Sequence, residues 1–243
     1  MVGLSRVVAA PGSRIVTNDE LIARFPGRTT ADIASRTGIE ERRYLGPGET
    51  ALTLALRAST ACLAGSGLTL AGIDGIIVST TTPLRVSPSL ACLLHDQLCR
   101  IGPAKDMPAF DLNAACTGYL YALNCAFDFC QSRPASTLLV TTAEAMSTIL
   151  DPDDFDTAIV FGDAASATLV FGPEAPGFRQ APIHLHRPVL SAQGEDGTIL
   201  SVGAKDHPTV RMDGGKVFSR ARSEEHTSEL QSLAYLVCRL LLE

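Results

Sequence analysis

Seven cysteines are spread through the 243-residue chain with no C-x-x-C pair among them, and one is set apart by its position. Cys116 lies in FDLNAACTGYLYAL (Phe110–Leu123), between a short apolar run that reads as a strand and a longer one, beginning near Thr117, that reads as a helix. A thiol at a helix N-terminus faces the positive end of the dipole, which favours the thiolate, and the free backbone N–H groups there can stabilise an oxyanion. A strand-to-helix elbow also lifts the side chain to the carboxyl edge of the sheet, where open α/β folds place their chemistry. Gly118 would then let a substrate come close. The alternative is a packing cysteine, which most unpaired cysteines are; position alone does not separate the two.

The other residues with chemical potential carry less. His184 and His186 lie two apart on a strand-like run and so share a face, but no third ligand is spaced to complete a metal site. His95 reads as a helix residue and His207 as a loop residue. FGDAASA (Phe161–Ala167) lacks the lysine and glycine spacing of a phosphate loop, so Gly162 and Asp163 read as a structural turn. The acidic DPDDFD (Asp151–Asp156) lacks EF-hand spacing and reads as a solvated loop. Arg36, Arg42 and Arg43 form the one dense basic spot, in RTGIEERRY. They are either anion ligands or a solvated cluster with Glu40 and Glu41.

The elements around these residues alternate. ETALTLALRASTACLAGSG reads as a helix capped by Thr50 and ended at Gly65, with Leu52, Leu56 and Leu63 as its core stripe, and IDGIIVSTT as a buried strand. PSLACLLHDQL (helix), MPAFDL (strand), TGYLYALNCAFDFCQS (helix), STLLVTT (strand) and ASATLVFG (strand) follow. This is an α/β rhythm whose apolar strands need cover on both faces. APIHLHRPVLSA then reads as an alternating strand that opens a second unit, followed by a turn region around Gly194–Gly197. The 46% apolar content and positive mean hydropathy of +0.19 support a large core. No run reaches the roughly 18–20 apolar residues of a membrane helix, and the N-terminus lacks the pattern of a signal peptide. A cytoplasmic, reducing setting is expected. The net charge of −6 gives no footprint for nucleic acid.

DLNAACTGYLYAL resembles the nucleophile motif of the β-ketoacyl-acyl-carrier-protein synthase III family, an Ala-Cys-Ser/Thr-Gly-aromatic run after a strand. Six further blocks follow in that family's order: TNDEL (Thr17–Leu21), RTGIEERR (Arg36–Arg43), GIDGIIVSTTTP (Gly72–Pro83), SPSLACLLHDQL (Ser87–Leu98), FGDAASATLVF (Phe161–Phe171) and MDGGKVF (Met212–Phe218). The resemblance implies a thiolase-like α/β fold of two similar halves in αβαβα layers, acting as a homodimer. It divides the chain into a complete nucleophile-bearing half over 1–173, the start of a C-terminal half over 174–221, and a tail over 222–243 that departs from the family. The tail's RSEEHTSELQS resembles a translated sequencing adapter and is read as non-native, although SELQSLAYLVCRLLLE also fits a natural amphipathic helix; Cys238 and His226 therefore receive no role. Most of the second half is expected to be missing.

The implied chemistry is a decarboxylating condensation that starts fatty-acid or polyketide synthesis. Cys116 takes an acyl group from acyl-coenzyme A, and malonyl-acyl-carrier protein then attacks the acyl-cysteine; both thioesters are substrates, and neither a resident cofactor nor a metal is implied. The histidine and asparagine that the family uses for the malonyl group sit in blocks that do not occur here. The family's adenine-stacking tryptophan aligns with Asp32, which leaves Arg36 as the residue expected at the coenzyme A phosphates or the carrier protein. A phenylalanine that closes the partner subunit's acyl pocket aligns with Ser87, which implies room for a primer longer than acetyl. Acyl transfer without decarboxylation, or a non-catalytic fragment that only binds, are the alternatives.

Overall fold

Alternation within single strands decides the architecture. In GIIVS, Ile76 and Val78 face one way and Ile77 the other, and all three are at most 1% exposed, so the strand must be covered on both faces. The computed structural model describes residues 1–192, 194–203 and 208–225, with backbone only from 221. His207, His226 and Cys238 lie outside the described residues, as does the tail from 226 on.

In chain order the elements are β1 (Val2–Leu4), β2 (Val8–Pro11), β3 (Arg14–Thr17), α1 (Asn18–Ile22), α2 (Thr30–Thr37), β4 (Glu41–Tyr44), α3 (Ala51–Gly65), β5 (Gly75–Ser79) and α4 (Leu90–Cys99). They continue with β6 (Ala109–Leu112), α5 (Gly118–Ser132), β7 (Thr137–Ala145), α6 (Phe155–Ala158), β8 (Asp163–Phe171), β9 (Ile183–Leu185), β10 (Leu200–Ser201), β11 (Arg211–Met212) and α7 (Gly214–Glu225). Among the described residues no helix is long and apolar enough to cross a membrane.

The chain divides into two compact units. The first comprises residues 1–13, 45–145 and 163–190. Its sheet runs β6-β5-β7-β8-β1-β9, with β2 also pairing β8. β5 is parallel to both β6 and β7, and the remaining pairs are antiparallel. α3 and α4 cover one face, joining Leu54, Ala58, Leu90 and Leu94 to Ile76, Val78, Leu139 and Leu169. On the other face α5 places Ala122, Leu123, Ala126 and Phe127 on Ile77, Leu138, Val140 and Val170.

Helix boundaries follow capping chemistry. Thr50 caps α3 through a reciprocal pair with Thr53, and Ser89 caps α4 by accepting from the Cys92 N–H. The buried face of α3 differs from expectation: Leu54, Ala55, Ala58 and Cys62 lie inward with Leu63, whereas Leu52 and Leu56 are only partly buried. Small alanines there bring the helix close to the sheet. The expected strand over Ala181–Ala192 shrinks to three residues, Ile183–Leu185, because prolines at 182 and 188 bracket it.

The second unit comprises residues 14–44, 146–162 and the described residues from Ser191 on. The antiparallel β3–β4 pair, whose connection contains α1 and α2, accompanies a small core of Leu21, Phe25, Ile33, Phe155, Ala158 and Ile159. The acidic segment is not merely a solvated loop: Asp154 caps α6 through the Asp156 N–H, Asp156 pairs with Arg36, and Asp151 faces Arg211 at 3.7 Å.

One surface turn of the first unit makes a pH test. Glu49 accepts from the N–H groups of Gly46 and Ser13, both at 2.8 Å, and from Arg57. These bonds hold its carboxyl down at about 2, from an ordinary value of 4.5. A carboxyl with a depressed folded pKa stabilises the fold above its unfolded pKa and loses that contribution as pH falls through the folded one. Glu49→Gln is expected to lower the thermal midpoint at neutral pH by roughly 2–8 °C. Melts between pH 5 and pH 2 check the sign: the gap between wild type and variant should close as pH falls through that window.

Candidate active site

Cys116 sits where β6 hands over to α5. Residues 115–117 form a single 3-10 turn, and α5 starts at Gly118. Ala115 has φ 47°, in the left-handed region that side chains with a Cβ rarely adopt. Side chains on either side hold that turn: Asn113 Oδ1 accepts from the Ala115 N–H at 3.3 Å, and the Thr117 hydroxyl donates to the Ala114 carbonyl at 2.9 Å. The result is an exposed Cys116 side chain. Asn113 and Ala115 carried no role in the sequence reading, because nothing in residue type signals a left-handed alanine.

One expectation about this elbow is narrowed and another needs correction. The Thr117 N–H donates to the Ala114 carbonyl and the Gly118 N–H to the Ala115 carbonyl, so the turn itself uses the two donors after the cysteine. Gly118 is buried, and a Cβ there would collide with the Ser79 hydroxyl of β5. It is glycine to let α5 meet the strand, not to admit a substrate.

At the same edge of the sheet end β5, which pairs with this elbow's strand, and β7, which pairs with β5. Glu144, near the end of β7, accepts from the Thr81 N–H at 2.8 Å and the Thr82 hydroxyl at 2.9 Å. Burial pushes its carboxyl above the usual carboxylate range, and those donors oppose the shift. Ser87 lies in the following loop and is exposed, and the Ser87–Pro88 peptide is cis. Leu84 and Val86 in the same loop are 43% and 99% exposed.

Arg36 belongs to the second unit. Its guanidinium pairs with Asp156 at 2.9 Å and lies 5.9 Å from the Phe155 ring centre, and Arg28 stacks on the same ring at 4.6 Å. Asp32 closes a capping box with Thr29, which depresses its carboxyl. The basic spot itself splits by strand alternation. Arg43 points outward toward Glu41, but Arg42 is 5% exposed and donates to Asn18 Oδ1 at 2.6 Å. Desolvation lowers its pKa. Its bonds to the Val16 carbonyl and to Asn18 tie β4 to β3 and the start of α1. His184 is engaged by the Phe178 carbonyl and ring, and among the described residues no group of three candidate ligands could hold a metal.

A part-parallel sheet covered by helices on both faces, with an exposed cysteine on a strained elbow at its carboxyl edge, defines a thiolase-like α/β protein. The family model for 3-oxoacyl-[acyl-carrier-protein (ACP)] synthase III matches residues 110–187, which include Cys116. The chain is 38% identical over 223 residues to a β-ketoacyl-[acyl-carrier-protein] synthase III of Bordetella petrii, covering 88% of this chain and 67% of that one. Among solved structures it is similar to 3-oxoacyl-[acyl-carrier-protein] synthase III from Aquifex aeolicus, with TM-score 0.79 and 30% identity over 93% of this chain and 69% of that one. It is also similar to the priming β-ketosynthase of the R1128 polyketide biosynthetic pathway, with TM-score 0.79 and 28% identity over 90% and 65%. The chain belongs to the 3-oxoacyl-ACP synthase III family.

Exposure and burial separate its thiols. Burial raises Cys62 and Cys125, and pushes Cys130 up to about 11. Limited iodoacetamide treatment followed by peptide mass spectrometry should modify Cys116 first, with Cys62 and Cys130 last. Cys92 is exposed as well, so equal labelling of Cys92 and Cys116 would show that the elbow confers no special reactivity.

Proposed function

We propose that the chain is a β-ketoacyl-ACP synthase III that uses Cys116 as an acyl carrier. The thiolate attacks the carbonyl of an acyl-coenzyme A, and coenzyme A leaves as its thiol. Malonyl-acyl-carrier protein then loses carbon dioxide, and the resulting carbanion attacks the acyl-cysteine to give a 3-oxoacyl-carrier protein and regenerate the thiolate. The observation that carries this reading is the exposed Cys116 on its strained elbow inside the segment that the family model matches. Sulfur suits the role because it is strongly nucleophilic and its ester keeps an electrophilic carbonyl. No resident cofactor enters either step.

Residues 1–173 are the half that carries the nucleophile, and 174–221 open the next. Arg36 is the substrate-binding cation for the phosphates of coenzyme A or the acidic carrier protein, and Ser87 leaves room for a primer longer than acetyl. A homodimer is supported by the sheet edge at β6, where Phe110 is 43% exposed, and by the exposed Leu84 and Val86 in the loop after β5. The cytoplasm suits a nucleophilic thiol that must stay reduced. Acyl transfer to a hydroxyl or amine through the same acyl-cysteine is the second reading, which the exposed Cys116 would serve equally.

Incubation with radiolabelled acyl-coenzyme A tests the assignment. Wild type should retain one acyl group at Cys116, and Cys116→Ala none, with its thermal melt preserved because losing one exposed thiol removes little buried area. Label on the variant would overturn the nucleophile. Loss of one oxyanion-type donor costs about a hundred- to a thousandfold, so the 243-residue chain should release only traces of 3-oxoacyl product from malonyl-acyl-carrier protein. Ready turnover would show that another residue replaces the absent pair.

A further inference from the structure

We propose that Glu144 is a positioning residue for acyl-chain selection, because its carboxylate fixes the start of the loop that carries Ser87. This rests on the function proposed above.

The loop between β5 and α4 is held at both ends by carboxylates, one from each strand that flanks β5. At the start, Glu144 of β7 takes the Thr81 N–H and the Thr82 hydroxyl. The Ala145 N–H can only donate, and it does so to the Thr82 oxygen at 2.7 Å, so the hydroxyl must direct its single proton to Glu144. Thr82 is 8% exposed, and this bracket therefore has one hydrogen-bonding arrangement. At the far end, Asp111 of β6 accepts the N–H groups of Leu90 and Ala91, both at 2.7 Å.

Between these clamps, residues 83–88 are exposed and make no hydrogen bond among the described residues. Their course is set by where the two ends are tied. A partly buried carboxylate costs desolvation, which its two donors offset in part. What it adds over a neutral side chain is two strong acceptors on one rigid strand end, aimed at consecutive residues. Slack at Thr81 and Thr82 reaches Ser87 within five residues and moves whatever surface that residue offers to an acyl chain.

The test uses the full chain and acyl-coenzyme A esters of increasing length, with label on Cys116 read by intact-mass spectrometry. In Glu144→Gln one acceptor oxygen remains for two donors, so the Thr81 N–H and the Thr82 hydroxyl can no longer both be accepted and the bracket loses its single arrangement. The ratio of half-saturating concentrations for long and short acyl esters is expected to shift about fivefold, the effect of one ordinary hydrogen bond. Trypsin should cut at Arg85 faster than in wild type. If Glu144→Gln does not fold, Thr82→Val removes the bond to Glu144 together with the acceptor of the Ala145 N–H and should shift the ratio in the same direction, while Thr82→Ser, which keeps the hydroxyl, should retain the wild-type ratio. An unchanged ratio, or a uniform weakening at every chain length, overturns the proposal. A wild type that takes no label at Cys116 instead overturns the function on which it rests, so the two failures are distinct.

Discussion

The parallel register of β5 with both neighbours is the constraint on which the candidate site depends. Ser79 pairs with Leu112 on one side and with Thr142 on the other, so three strands end at one edge of the sheet. Each then contributes something different within a few residues: β5 the Thr80–Thr82 turn, β6 the elbow with Cys116, β7 Glu144. Were any of the three antiparallel, its carboxyl end would lie at the opposite edge. The register is itself enforced by burial, since a one-residue slip of β5 would exchange Ile77 with Ile76 and Val78 between two filled cores.

Strain at the elbow is a local consequence of that geometry. α5 must start close to β5, and Gly118 allows it only because no Cβ occupies the space of the Ser79 hydroxyl. The chain reaches that point from the end of β6 in a few residues, and the turn is made at Ala115 with φ 47°. A left-handed alanine is disfavoured by about 1–2 kcal/mol. It persists because Asn113, Thr117 and the packed body of α5 hold both sides of the turn. The exposure of Cys116 is thus produced by packing elsewhere in the unit.

What was legible in the sequence follows the length and periodicity of the segments. α3, α4, α5, β5, β7 and β8 carry long patterns and cap residues such as Thr50, and they stand where those patterns place them. β1 to β4 span three or four residues each and show no period of their own; long-range pairing defines them, as between Val8 and Ala167. The cysteine was legible because strand, thiol and helix are consecutive in the chain. Glu144 was not: its partners lie more than sixty residues away, and a glutamate near a strand end looks like any solvated one. The family motifs carried fold and chemistry further than periodicity could, but they gave no indication that Gly118 packs against Ser79.

The arginines show how much a strand's alternation changes chemistry that composition leaves equal. Arg42 and Arg43 are adjacent, yet pairing with β3 turns one inward onto Asn18 and leaves the other in solvent. A guanidinium buried without a carboxylate partner among the described residues cannot be lent to a ligand, because leaving it unpaired costs its full desolvation. Arg36 is in the opposite position. Its pair with Asp156 leaves both side chains more than half exposed, and such pairs contribute about 0–1 kcal/mol. Giving up Asp156 would therefore cost that guanidinium little, and the Phe155 ring centre lies 5.9 Å from it. Of the three arginines in the basic spot, Arg36 thus combines weak commitment to its present partner with an exposed guanidinium.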